Sequence, residues 1–456
     1  MIRLASMGIP PTPRRRRILT VVQALSTGGT ERVAATYAIA TAAMGFESAI
    51  LGIYGGGILE AALQAGGVQV WSGADAIAPL CLQSEQEPWD LIHSHNGGQF
   101  DPYSDWLIGR LKGGTTRVVQ TNVFARADYG PLPDPIDFEL LISQSGAWKW
   151  SRWVRSAARR RPHGVFPYLV AEQRFRPPQA GERQSAREHF QLSSTAPVVG
   201  RIGQPSDSKW DRRILDVFRL IQQRLPDCQL LLVGCPPGIS AEIDTLPAPL
   251  RAAIQVFPAS SDDRTLQAAY WAMDLFLHLS QIGESFGLVL VEAAQSGLPI
   301  VTGSTPLKDN SQGEVVRILA AGRSAASVEA IAAHAIDQLR SSSLEQDRNA
   351  IASQARLAYG IESNQHLLKQ WIDLLIETGD PVALAHLLQN QQASHPCWRR
   401  SDPEQWRRQA LADLSPPGRL LFRLLHQPWL YRLFRSWRER PYIRQQRRRI
   451  DILLLS

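Results

Sequence analysis

Cysteine is scarce. Cys81, Cys228, Cys235 and Cys397 are the only four in 456 residues, and they form neither a CxxC pair nor a His/Cys spacing suited to zinc. A disulfide framework and a structural zinc site are therefore excluded as the basis of the fold. Long apolar runs are missing as well. The best, 230–233 and 275–279, fall well short of the roughly 18 residues that a membrane span requires, so a soluble protein is expected, placed in the cytoplasm or peripherally on the inner face of the membrane. Arg14 to Arg17 ahead of an apolar stretch imitates a signal peptide, but Gln23 interrupts that stretch and no small-residue cleavage site follows. We read residues 18–22 as a buried strand and 1–16 as a disordered leader. A third glycine is absent after Gly28-Gly29, so there is no GxGxxG fingerprint and a nicotinamide enzyme is disfavoured. No DxD-type carboxylate cluster stands anywhere to demand a metal.

What is present is globular in kind: 44% hydrophobic and 20% charged residues supply enough apolar surface to offset chain entropy. The length exceeds what one hydrophobic core normally supports and predicts two domains with appendages. Charge is uneven. From His395 to the end there are fourteen Arg, no Lys and five acidic residues, a local +9, which leaves the rest of the chain at −2 of the total +7. A basic tail on a nearly neutral body points to a partner for the tail alone.

Short β-rich runs alternate with amphipathic stretches, the pattern of open parallel sheets flanked by helices. Strands are expected at 18–22, 48–53, 68–71, 91–93, 117–121 and 140–143, with helices at 30–44 and 59–65. A second series follows the polar stretch 174–186, read as the linker region. Its strands are expected at 197–202, 229–233, 254–257, 275–279 and 299–302, and its helices at 210–224, 265–273, 286–296 and 328–340. The fold class is α/β, with two Rossmann-like doubly wound domains at 17–175 and 187–360 facing a cleft. A helix within 361–378 returns to the first domain, and 379–456 forms a basic helical extension. Ligands in such sheets collect at the carboxyl ends of the strands.

Gly283-Glu284-Ser285-Phe286-Gly287 lies where a strand ends and a helix begins. With Glu284 in the loop and Glu292 two turns into the helix, the carboxylates stand about 12 Å apart along the axis. Between them are helix N-terminal amides around Ser285, Phe286, Gly287 and Leu288. This suits an extended nucleotide diphosphate sugar: amides at the diphosphate, one carboxylate toward the sugar and one toward the ribose. Arg201 at the end of a strand and Lys209 before the next helix add two cations for a diphosphate leaving group. In the first domain Gly28 and Gly29 permit a tight turn and close backbone approach to a ligand. His95 is expected to face the cleft as a partner for a sugar or acceptor hydroxyl, favoured over His93 on the same side of its strand. Asn122, Arg126 and Asp128 follow another strand as acceptor-side candidates.

The stretch 279–301 resembles the Glu-x7-Glu motif of the retaining GT-B glycosyltransferases, especially glycosyltransferase family 4. The resemblance extends to Arg201, Lys209 and the Gly28-Gly29-Thr30-Glu31-Arg32 loop. It implies that Glu284 contacts the donor sugar, Glu292 holds the ribose, Arg201 and Lys209 hold the diphosphate, and a histidine such as His95 serves the reaction. The expected activity is retaining transfer of a sugar from a nucleotide-sugar donor to a glycan or lipid-linked acceptor, with no cofactor and no metal. A catalytically silent GT-B-like nucleotide- or glycan-binding protein, and a nucleotide-sugar epimerase or phosphorylase on the same fold, are the alternatives.

From Arg419 to Trp437, Arg and large apolar residues alternate at near-helical spacing, broken by Pro428. Two readings stand for residues 419–450: a helix in an anionic membrane interface, or a helical pair packed on the enzyme body. Nucleic acid is not expected, because no recognisable binding module surrounds the arginines.

Overall fold

The computed structural model describes residues 14–130, 134–156, 161–319, 322–341 and 344–455. The first thirteen residues of the expected leader lie outside the described residues.

Seven parallel strands form the first sheet: β1 (Arg17–Val22), β2 (Glu47–Gly52), β3 (Gln69–Ser72), β4 (Leu91–Asn96), β5 (Arg117–Asn122), β6 (Phe138–Leu141) and β7 (His163–Val165). Their order is β3-β2-β1-β4-β5-β6-β7. Six more form the second: β8 (Val198–Ile202), β9 (Gln229–Val233), β10 (Ile254–Phe257), β11 (Leu275–His278), β12 (Ile300–Gly303) and β13 (Gly322–Ala325). Their order is β10-β9-β8-β11-β12-β13, again parallel. Helices cover both faces, so central strands are buried throughout and read as continuous apolar runs, as Leu230-Leu-Leu-Val233 does in β9.

The differences from expectation have local causes. The strands β7 and β13 have three and four residues, His-Gly-Val and Gly-Arg-Ser-Ala, too short and too poor in β-branched residues to stand out. The helix expected at 286–296 begins at Leu288, because Gly287 takes φ +96° and turns the chain just before it. The helix expected at 210–224 begins at Arg213. The stretch read as a linker carries the helix Glu182–His189, which packs on the helix Asp263–Ala272 of the second domain.

Beyond the second sheet the chain returns. The helix Ile361–Thr378 buries Trp371 against Phe166 and His93 of the first domain, and Arg16 bonds its Asp373 and Glu377. The next helix, Pro381–Ser394, is no appendage: it covers edge strand β7, with Leu388 against Gly164 so closely that a Cβ there would sit 2.5 Å from the leucine Cδ1. The helices Pro403–Ala412, Pro416–Leu425 and Pro428–Leu455 follow, and Pro428 starts the last helix, where its missing N–H costs nothing.

Candidate functional site

Each sheet reverses its winding once, between β1 and β4 in the first and between β8 and β11 in the second. Chains that leave a switch point in opposite directions open a crevice at the carboxyl end. The loops after β1, β8 and β11 meet there around a cavity of about 360 Å³ lined from both domains. Gly28, Gly29, Arg201, Lys209, Glu284, Ser285, Phe286, Gly287, Leu288 and Glu292 all border it.

Glu284 is held from three sides. Lys209 Nζ lies 3.1 Å from its Oε2, His278 Nε2 lies 3.3 Å from its Oε1, and its backbone N–H donates to Gln312 Oε1 at 3.0 Å. Burial resists the charge, but the His278 hydrogen bond and the Lys209 and Arg201 cations outweigh it and hold the carboxyl down at about 2. Burial and the same Arg201 cation press His278 down to about 4, so the ring is neutral at pH 7. A neutral His278 that donates from Nε2 to Glu284 must accept at Nδ1, where the Thr302 hydroxyl stands at 3.0 Å. Gly283, at φ +70°, makes the turn that aims Glu284, and its missing side chain leaves room for the Asp309 carbonyl.

Arg201 is 1% exposed and braces the loop that carries Lys209: its guanidinium donates to Ile202 O at 2.7 Å and Lys209 O at 3.1 Å. Burial lowers its pKa to about 10, still charged at neutral pH, and its Nε has no hydrogen-bond partner among the described residues. Beyond Gly287 the helix Leu288–Gln295 opens on the cavity; Leu290 N–H donates to Gly287 O at 2.9 Å, which leaves the Leu288 and Val289 amides as the ones without an acceptor within the helix. Gly29 lies directly across, where a Cβ would come within 3.0 Å of Leu288. The first helix, Gly29–Ala43, thus also turns its N-terminal end to the cavity.

Glu292 sits one turn into its helix rather than two, because that helix starts late. Its Oε1 accepts from Arg174 at 2.9 Å and its Oε2 from the Tyr270 hydroxyl at 3.1 Å. Arg174 also bonds Asp263 through two nitrogens, and Arg32 of the first domain reaches the same Asp263 at 3.4 Å. Burial opposes the Arg174 charge, but Glu292 and Asp263 outweigh it and raise its pKa. Arg174, His278 and Tyr270 were missed from sequence. Arg174 lies in the stretch read as a linker, while His278 carries the one signal in the sequence, a polar residue in an apolar strand.

His95 is corrected. It does not face the cleft: its ring is 1% exposed, packs against His93 and Tyr37, and has no hydrogen-bond partner among the described residues. Strand alternation puts both histidines on the side that Tyr37 and Trp371 cover. Burial and the neighbouring His93 hold its pKa well below the usual value. Asn122 and Asp128 are also turned inward, toward Glu139 and Arg161, while Arg126 donates to Gln99 at 2.7 Å. Across the domain boundary, Glu314 accepts from the Gln144 and Ser145 amides at 2.8 Å each, capping the helix Gln144–Trp153 from the other domain. Among the described residues no group of three or more His, Cys, Asp or Glu is placed to hold a metal ion.

Residues 195–339 match the family described as glycosyl transferases group 1. The chain is 27% identical over 255 residues to the D-inositol 3-phosphate glycosyltransferase of Nocardia farcinica, covering 50% of this chain and 55% of that protein. It is 33% identical over 147 residues to the phosphatidyl-myo-inositol mannosyltransferase of Mycobacterium leprae, covering 31% of this chain and 37% of that protein. The chain thus spans about half or less of the length of the curated relatives it matches. Among solved structures it resembles a glycosyltransferase from Rickettsia africae, with TM-score 0.61 at 14% identity over 80% of this chain and 99% of that one. It also resembles HepE of Anabaena in complex with UDP and glucose, with TM-score 0.56 at 16% identity over 78% and 99%. At such identities the likeness is one of fold, and the fold is GT-B. No helix of the described residues is long and apolar enough to cross a membrane.

Proposed function

We propose that this chain, whose second domain is a group 1 glycosyl transferase domain on a GT-B fold, moves a sugar from a nucleotide diphosphate donor to a glycan or lipid-linked acceptor with retention of configuration. One observation carries the reading: Glu284, clasped by Lys209 and His278, shares a cavity with Glu292 and with Leu288 and Val289, the first two residues of the helix that starts between them. In this reading the diphosphate lies on the amides of those two residues and on Lys209, with Arg201 charged behind. Glu284 meets the sugar and Glu292 the ribose, where Arg174 and Tyr270 hold it ready.

As the bond from the anomeric carbon to the diphosphate oxygen breaks, negative charge grows on the leaving group. Fixed cations and dipoles stabilise it without reorganising. The donor set favours catalysis without a metal, since the cations are supplied by side chains. The curated relatives are named for acceptors bearing inositol phosphate or phosphatidylinositol. A phosphorylated or lipid-borne acceptor on the first-domain side accords with those names.

The test is binding and hydrolysis of a panel of UDP-, GDP- and ADP-sugars by the purified chain, with Lys209→Ala and Glu292→Ala alongside. Binding of one donor that both substitutions weaken is expected. A folded chain that binds none of the panel refutes the transferase reading.

A further inference from the structure

The last two helices have two faces. On the long helix Pro428–Leu455, Tyr431, Arg435, Glu439, Tyr442 and Gln446 recur at spacings of three and four, one stripe of a helix, and this stripe is docked. Tyr431 stacks on Trp153 with ring centres 4.1 Å apart, Tyr442 donates to Asp101 at 2.6 Å, and Gln446 accepts from Tyr54 at 3.2 Å. Tyr54 follows β2 and Asp101 follows β4, while Ala125 and Ala127 after β5 share a buried cluster with Tyr431. The helix therefore runs along the carboxyl-end rim of the first sheet. Phe124, next to Ala125 and 41% exposed, lines the cavity itself.

The opposite face has no partner among the described residues. Trp429, Leu433 and Trp437 repeat every four residues on the side away from the docked stripe, Leu433 63% and Trp437 67% exposed, with Phe434 exposed beside them. In the preceding helix, Phe422 and the following His426 turn inward onto Trp148, and Leu420, Leu421, Leu424 and Leu425 stay exposed. A water-soluble surface rarely concentrates so much apolar side chain. Further along the long helix the same outer side becomes Arg440, Arg444, Arg447 and Arg448, all exposed. Residues 416–450 hold ten Arg and no Lys, against Glu439 as the single acidic residue, itself half-buried beside Arg435.

We propose that these two helices are a docking surface for an anionic phospholipid bilayer. Aliphatic and Trp side chains enter the interface, and the arginines meet lipid phosphates. A second copy of the chain fits worse: a two-fold contact sets each patch against itself and brings arginine to arginine. Because the docked stripe lies on the first-domain rim of the cleft, bilayer contact brings that rim to the lipid surface. Resting on the transferase reading, this makes the acceptor a lipid-linked one, presented from the membrane plane.

The experiment is co-sedimentation of the full chain with vesicles of phosphatidylcholine, with and without phosphatidylglycerol. Strong binding to the anionic vesicles alone is expected, weakened by salt. The variant Trp429→Ser/Leu433→Ser/Trp437→Ser changes only outward side chains and is expected to lose at least about tenfold in partitioning. Single substitutions among Arg440→Gln, Arg444→Gln and Arg448→Gln are expected to cost about fivefold each. Equal binding to neutral and anionic vesicles, or a triple variant that partitions like the parent, overturns the proposal. So does self-association of the parent that the triple variant abolishes in the absence of any vesicle binding. Donor binding by the same preparations reads the transferase site separately, so the failure of either reading is visible without the other.

Discussion

Replacing Lys209 by alanine removes one cation from the cavity wall and little else. Its side chain is 36% exposed, so its pair with Glu284, discounted for solvent screening, contributes about 0–1 kcal/mol to folding. Glu284 keeps His278 and Gln312. In the proposed transfer the same charge faces a leaving diphosphate and matters far more: at about 5 Å and an effective dielectric of about 20, one unit pair is worth about 3 kcal/mol. That is about two powers of ten in rate, the range seen when a fixed electrostatic donor is removed from a transition state. Lys209→Ala is therefore expected to lower kcat/KM for donor turnover about 100-fold, with the thermal midpoint moving by no more than about 2 °C. Lys209→Arg is expected to recover part of the loss. The assay is release of nucleoside diphosphate with the preferred donor, beside thermal unfolding of the same samples. Activity within about twofold of the parent, or a loss that merely tracks unfolding, refutes the assignment.

Gly283→Ala forces an L residue into a left-handed turn, costing about 1–2 kcal/mol, and presses a Cβ on the Asp309 carbonyl. Donor affinity and thermal midpoint are both expected to fall, and an unchanged affinity by calorimetry counts against Glu284's placement. Glu314→Ala removes the acceptor of the Gln144 and Ser145 amides across the domain boundary while Ser143 still caps Gly146, at a cost of about 1 kcal/mol. Hydrogen exchange at the Gln144 and Ser145 amides is expected to rise, and unchanged protection refutes the interdomain cap. Substituting His95→Met, in a ring site away from the cavity, is expected to change kcat by less than about threefold, whereas a hundredfold loss in a folded variant brings the ring back into the chemistry. Burial first of all lowers His93 to about 3 and His278, His395 and His426 to about 4. Unfolded histidines protonate near about 6.5, so from there down to about 4 the unfolded chain binds protons that the folded one refuses. Stability is expected to fall with falling pH in that window, by about 1.4 kcal/mol per pH unit for each such group. Denaturant midpoints that stay level from about pH 7.5 to about pH 5.5 refute it.

What the sequence discloses depends on how near its partners are along the chain. Glu284 and Glu292 are separated by a loop and a turn of helix, and Arg201 and Lys209 by a single loop, so local spacing was enough to group each pair. Arg174 bonds residues 89 and 118 positions away, and no local pattern marks such a contact, which is why an Arg beside prolines read as linker. Strand alternation correctly put His93 and His95 on one side of β4. It carried no word on which side that was, because Tyr37 comes from an earlier helix and Trp371 from one nearly 280 residues later. The helix after Gly287 started late for a local reason that is visible only as a backbone angle. The same asymmetry governs the C-terminal helices. Their alternation of arginine and apolar residues was plain, and it left a membrane interface and a packed helical pair as rivals. The structure shows the packed half of that pair of readings, and the membrane half stands as our proposal. Tyr431, Tyr442 and Gln446 satisfy the packed reading, and Trp429, Leu433 and Trp437, half a turn away on the same helix, are left over by it. A helix that has already buried one stripe gains nothing for folding from a second apolar stripe in water. On the docking proposal that second stripe meets a partner outside the chain, and the arginines that continue it set the sign of that partner's charge.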